Sequence, residues 1–200
     1  TFVGARQLDR VLSRLPEHIV VVVDEAYYEY VRHPDYPESL QYVRDKRPCV
    51  ILRTFSKIYG LAGLRVGYGI TTPEIAGYVN RVRPPFNVNS LAQEAARAAL
   101  TDDEHVAKSR GMNEAEMTFL EEGLEKLGIT CIPSQANFIY FDVGMDGKRV
   151  YDALLRDGVI VRHLPGSMIR VTIGQPAENH RFLDALQTVL AALAANGSSA

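Results

Sequence analysis

The sequence predicts an α/β fold followed by a smaller α+β unit, and three observations carry that reading. Short continuous apolar runs alternate with longer stripes of helical period through the first hundred residues. The run Ile19–Asp24 is too apolar to lie half exposed, so it reads as a central parallel strand covered on both faces. Beyond Gly128 the pattern changes to short strands interrupted by a single helix and closed by a long terminal one.

Taken in order, Thr1–Gly4 leads into an amphipathic helix with Leu8, Val11, Leu12 and Leu15 inward, and then into the strand ending at Asp24. Glu38–Asp45 reads as a short crossover helix and Cys49–Arg53 as the next strand. Arg65–Thr71 is the third, with Gly67 and Gly69 at alternate positions where a backbone or ligand can approach closely. A helix after Pro73 carries Ile75 and Val79 and is stopped by Pro84-Pro85. Asn89 or Ser90 caps an alanine-rich helix reaching Leu100. Asp102-Asp103 opens a longer helix with Met117, Leu120, Leu124 and Leu127 on one stripe, and Gly128 ends it. The second unit reads as strands Ile129–Ile132 and Asn137–Asp142, helix Val150–Asp157, and strands Val159–Arg162 and Met168–Ile173. Pro176 opens a last helix with Phe182, Leu183, Leu186, Val189, Leu190 and Leu193 inward. The expected domains are residues 1–100 and 101–196, joined by the helix near 102–127.

With 200 residues, 46% of them apolar, the chain can bury one substantial core and part of another. A net charge of −2 and a pI near 6.2 offer no basic face for nucleic acid and no polybasic membrane patch. No stretch approaches the roughly 18 apolar residues of a membrane helix. Cys49 and Cys131 lack metal or redox spacing and read as core thiols in a reducing, cytoplasmic setting. The Asn196-Gly197-Ser198 sequon on a Gly/Ser tail reads as chance. The chain starts without methionine and reads as the C-terminal part of a longer protein.

Two short segments carry the chemistry. Asp24 follows four valines, so its carboxylate emerges at the carboxyl end of a strand, where open α/β sheets place ligands. At such depth an aspartate should meet a cation, and a protonated pyridine nitrogen would serve; capping the next helix or pairing with an arginine is the plainer alternative. Four aliphatics before Asp-Glu also suit the metal strand of a nucleotide hydrolase, but the chain contains no phosphate loop of the G-x-x-x-x-G-K-[ST] type. Lys57, a rare lysine in an arginine-rich chain, lies between Thr54-Phe55-Ser56 and the apolar, glycine-broken Ile58–Leu64. An amine in such surroundings is a nucleophile toward an aldehyde and a proton carrier, although a loop lysine reaching solvent would look alike. Arg65 could give a planar fork to a phosphate, with hydroxyls from Thr54 and Ser56.

These stretches resemble the fold-type I pyridoxal-phosphate aminotransferases, most closely the histidinol-phosphate aminotransferases. The likeness rests on Asp24-Glu25-Ala26-Tyr27, Arg53-Thr54-Phe55-Ser56-Lys57, Leu61–Tyr68, Ala136-Asn137-Phe138 and Ile169–Gly174, in family order over nearly the whole chain. It implies the back part of the family's large cofactor domain, a mostly parallel sheet with flanking helices, plus the small C-terminal domain. It implies pyridoxal 5'-phosphate bonded to Lys57, with Asp24 holding the pyridine nitrogen protonated and Tyr27 bonding the ring oxygen. Thr54, Ser56 and Arg65 match the phosphate clamp, Arg170 the arginine for the substrate α-carboxylate, and Arg162 one for a substrate phosphate. Asn137 matches a residue at the cofactor mouth or a packing position. The expected partners are small amino acids, oxo acids and phosphorylated substrates, and a second subunit in a homodimer.

The family's Asn-Pro-x-Gly loop, its ring-stacking aromatic and a partner tyrosine have no counterpart in this sequence, and the stretch between Arg162 and Arg170 is short. A broad or aromatic aminotransferase, a phospho-amino-acid decarboxylase, and the cofactor-sensing module of a transcription regulator therefore stay open as alternatives.

Overall fold

A computed structural model describes residues 2–197; Thr1 and residues 198–200, including the serine of the sequon and the end of the Gly/Ser tail, lie outside the described residues. The chain divides into two compact units, residues 2–110 and 111 onward.

The first unit is built on a three-stranded sheet. Helix α1 (Ala5–Leu12) precedes β1 (Val21–Asp24), α2 (Leu40–Arg44) crosses over to β2 (Cys49–Thr54), and β3 (Gly67–Thr71) follows. The order is β1-β2-β3, with β1 and β2 parallel and β3 antiparallel to β2. Leu12, Tyr42, Cys49 and Ile51 form the core under this sheet. A second cluster, Phe55, Val66, Ala92 and Ala96, packs helix α4 (Ser90–Ala99) beneath the connection from β2 to β3. Helix α3 (Pro73–Val82) follows β3, with proline in its first turn and Thr72 as its cap. Asn89 caps α4 through its side chain, accepting from Ala92 N at 2.8 Å.

Three expectations need correction. The first strand is not covered on both faces: among the described residues it pairs only with β2, and Val20 and Val22 are half exposed. A run of valines reports β propensity and a capacity for burial, not whether the covering layer lies in the same segment. Val11 and Leu15 are exposed, because α1 stops at Leu12 and only its Leu8 and Leu12 side reaches the core. The third strand begins at Gly67 and not Arg65, which takes a left-handed conformation (φ 55°) that a strand cannot continue.

The second unit begins inside α5 (Asp103–Lys126), one continuous helix whose first turns belong to the first unit. Its sheet has the order β4-β5-β7-β6, all antiparallel, from β4 (Cys131–Ile132), β5 (Phe138–Asp142), β6 (Arg162–His163) and β7 (Met168–Thr172). Helices α6 (Gly147–Arg156) and α7 (Pro176–Gly197) cover one face. Alternation sends Ile139, Phe141, Ile169 and Val171 to that face, where they meet Leu120, Leu124, Val150, Leu154, Phe182 and Leu186 in a single core. Asn179 is buried and fully used: it bonds Gly174 N and O and donates to Glu116 at 2.7 Å, tying the end of β7 to α7 and α5.

Gly67 is where the sheet itself dictates the residue. A Cβ there would sit 2.9 Å from the Arg53 carbonyl oxygen, whereas one at Gly69 would meet only side-chain carbons at 3.5 Å. In the full-length protein, Gly67→Ala should therefore cost about 1–3 kcal/mol in urea unfolding, and Gly69→Ala less than about 1 kcal/mol. Equal effects at the two positions would contradict the close approach.

Candidate functional site

Parallel pairing brings the carboxyl ends of β1 and β2 to one edge of the first sheet, with Asp24 opposite Leu52 and Glu25 N donating to Leu52 O at 2.8 Å. Asp24 is exposed there, and its carboxylate accepts from Ala26 N at 3.0 Å, which turns the chain out of the strand. The expected buried aspartate is thus a solvated one. Its neighbour Glu25 is the buried acid, 1% exposed.

A tight turn, Gly60 N to Lys57 O, presents Lys57 just beyond β2, and Gly60 closes it with φ 70°. The base of this connection is fixed from several sides. Phe55 N donates to Val66 O and Leu61 N to Phe55 O, Ile58 is buried, and the Phe55 and Tyr59 rings pack 5.1 Å apart. His105 Nε2, from the first turn of α5, lies 2.8 Å from the Ile58 carbonyl oxygen and so carries its proton on that nitrogen. Arg110 Nε donates at 2.6 Å to the Glu29 carbonyl, in the 3-10 turn Tyr28–Tyr30 that follows Asp24. One helix therefore holds both site-bearing loops by their backbones.

Lys57 Nζ stands 5.2 Å from the centre of the Tyr27 ring. Thr54 Oγ1 accepts from Ser56 N at 3.0 Å. Arg65 Nη1 donates to Ala62 O at 2.8 Å and reaches Ser56 Oγ at 3.5 Å. Holding a non-glycine residue in the left-handed region costs on the order of 1 kcal/mol, and here it aims the guanidinium back at the Ser56 hydroxyl. Asp24, Tyr27, Thr54, Ser56, Lys57 and Arg65 thus all lie on the first unit, around the same strand ends.

Arg162, Arg170 and Asn137 belong to the second unit. Arg162 and Arg170 are direct cross-strand partners on β6 and β7, which puts two guanidinium side chains on one face. Arg162 is exposed; Arg170 lies with its Cζ 4.7 Å from the Phe138 ring centre, and its Nε is buried without a hydrogen-bond partner. Asn137 is half-buried and accepts from Ile173 N through its backbone, at the end of the same β5–β7 pair.

The sequence reading passed over the ion pair behind the first-unit site. Arg53 Nη2 and Nε approach Glu25 Oε2 at 2.8 and 2.9 Å, and the guanidinium stacks 3.5 Å from the Tyr28 ring centre. Burial works to lower the Arg53 pKa, but the hydrogen bond and charge of Glu25 outweigh it, and the net shift is upward. A signal was present: two adjacent acids at a strand end face opposite ways, so one of them must go inward.

Residues 3–186 match the family described as aminotransferase class I and II, and the chain belongs to that family. Within it, histidinol-phosphate aminotransferase 1 of Nitrosococcus oceani is 52% identical over 194 residues, 95% of this chain and 52% of that protein. The histidinol-phosphate aminotransferase of Moorella thermoacetica is 51% identical over 196 residues, 96% of this chain and 51% of its own length. The chain spans about half the length of the curated relatives it matches. Among solved structures, histidinol-phosphate aminotransferase from Sinorhizobium meliloti in complex with pyridoxal-5'-phosphate superposes with a TM-score of 0.88 at 28% identity, over 96% of this chain and 55% of that one. The Clostridium acetobutylicum enzyme gives 0.84 at 28% identity, over 92% and 58%.

Glu29, beside the ion pair, has its carboxyl pushed above the ordinary 4.5, chiefly by burial and further by Glu25, while its backbone hydrogen bond, Arg53 and Arg110 pull it back. A raised carboxyl contributes stability that is complete below 4.5 and is lost as pH rises through the folded-state value. Glu29→Gln, neutral throughout, should therefore gain stability relative to wild type between pH 4 and pH 7. Chemical unfolding at both pH values checks the sign, and a gain confined to pH 4 would refute it.

Proposed function

We propose that the protein containing this chain is a pyridoxal-phosphate-dependent aminotransferase that exchanges amino groups between glutamate/2-oxoglutarate and histidinol phosphate/imidazole-acetol phosphate. The observation that carries this reading is Lys57 Nζ set over the Tyr27 ring at the strand edge that also bears Asp24. An amine, a phenol and a carboxylate there, with the Arg65 guanidinium at the Ser56 hydroxyl, match the chemistry of a phosphorylated pyridine aldehyde. The cofactor supplies a ring that accepts electrons from the substrate Cα.

Lys57 would hold the cofactor through its aldehyde, and its Nζ would carry the proton moved from the substrate. The Asp24 carboxylate would favour a positive charge on the pyridine nitrogen, and the Tyr27 hydroxyl would donate to the ring oxygen. Thr54, Ser56 and Arg65 would bind the phosphate. Arg170 would take the substrate α-carboxylate with its guanidinium, which is held against the Phe138 ring 4.7 Å away. Arg162, its cross-strand neighbour, takes the substrate phosphate, and Asn137 steadies that end of the sheet. The curated relatives at about 50% identity support the histidinol-phosphate assignment over other substrates. In the biosynthetic direction the product is histidinol phosphate.

The reading extends to a cytoplasmic homodimer. Its supports are two free cysteines, both with thiol pKa values raised mainly by burial, and an exposed apolar stretch of Tyr78, Val79, Val82, Phe86 and Leu91.

Replacing Lys57 by alanine in the full-length protein should lower turnover by about 10³-fold or more and abolish borohydride-fixed cofactor. Normal turnover would remove the assignment. Arg162→Met should raise KM for histidinol phosphate by about 10–100-fold, leaving phenylalanine unaffected; equal loss on both substrates would exclude a phosphate-binding role.

A further inference from the structure

We propose that Glu25 and Arg53 are positioning residues that fix Asp24 against the Thr54–Lys57 turn and so set cofactor affinity and the rate of the chemical step. This inference rests on the cofactor reading above. Each member of the pair is one residue from a site residue: Glu25 follows Asp24, and Arg53 precedes Thr54. Strand alternation sends Asp24 and Thr54 to one face and the ion pair to the other, so the pair acts through the backbone and not by contact with ligand.

Helix α5 holds the two loops from outside, through His105 and Arg110 on their carbonyl oxygens, whereas the ion pair joins the strand ends next to Asp24 and Thr54 themselves. The β1–β2 ladder ends at the bond from Glu25 N to Leu52 O, and Asp24 itself is solvated. Just beyond that last rung, the ion pair links the two strands with side chains 0% and 11% exposed. The second Glu25 oxygen, Oε1, is buried with no hydrogen-bond partner among the described residues, so among them Arg53 is the cation that compensates this carboxylate. Losing Arg53 would leave a bare charge in the interior, and the strand ends would have to part to admit water. Two properties of Arg53 are specific to arginine: two nitrogens of one fork reach Oε2, and its plane lies on Tyr28. Lysine keeps the charge but can supply neither the fork nor the planar stack.

The test uses the full-length protein with Arg53→Lys, Glu25→Gln and Tyr28→Leu, and with Leu154→Ala, a fully buried core change in the other unit, as control. Hydrogen exchange at the Glu25 and Ser56 amides is measured without cofactor, the pyridoxal phosphate dissociation constant by absorbance titration, and kcat and KM by turnover. Arg53→Lys and Glu25→Gln should speed both amides, weaken cofactor binding about tenfold and lower kcat about tenfold with KM nearly unchanged. Tyr28→Leu should give a smaller shift in the same sense, and Leu154→Ala should lower only the unfolding midpoint. The proposal is overturned if folded variants of the pair bind cofactor as wild type does, or if Leu154→Ala reproduces their effects. It is equally overturned if the pair variants do not fold while Tyr28→Leu binds cofactor normally. Failure of the wild-type protein to give a borohydride-stable label on Lys57 would instead defeat the underlying cofactor reading.

Discussion

The parallel pairing of β1 with β2 is the constraint on which the first unit depends. Two strands that run the same way end at the same edge, so segments some thirty residues apart arrive together without further design. Everything placed at that edge inherits its position from four rungs of backbone and the side chains packed under them. The lysine turn is then anchored by means that owe nothing to the lysine: a buried Ile58, a ring pair, a glycine with positive φ, and a histidine on its carbonyl. Rigid support of this kind lets a flexible amine be presented without the loop itself wandering.

Much of the architecture was legible because its causes are local. Strand and helix order followed from apolar period, and Pro73, Asn89, Asp102, Gly128 and Pro176 marked the helix ends where they were read. What failed was burial. The valines around Val22 and the stripe through Val11 and Leu15 look as apolar as any core residue, but exposure is decided by which layer lies opposite, and no local pattern encodes that. Arg65 misled for a different reason: an arginine with φ 55° is a tertiary outcome, imposed by the closed turn before it and the buried Val66 after it.

At the candidate site, the spacing of Asp24, Tyr27, Lys57 and Arg65 could be read because a motif is a string. Their supports could not. Glu25, Arg53, Tyr28, His105 and Arg110 come from the link after β1, from β2, from the 3-10 turn and from α5, and each looks ordinary in its own neighbourhood. Two of them, His105 and Arg110, act by donating to carbonyl oxygens, which any residue type supplies, so no side-chain pairing in the sequence betrays them. An acid exposed and an acid buried stand side by side at residues 24 and 25, and only the pleat distinguishes them.

The opposed arginines on β6 and β7 carry a thermodynamic consequence. Like charges facing across a ladder repel, and one of them already has an unsatisfied buried nitrogen, so this corner of the second sheet is less comfortable empty than filled. An anion bound between them would relieve the repulsion and, by mass action, stabilise the folded form. Melting temperature would then rise with phosphate or sulfate concentration, and the buffer itself would report on this corner of the sheet.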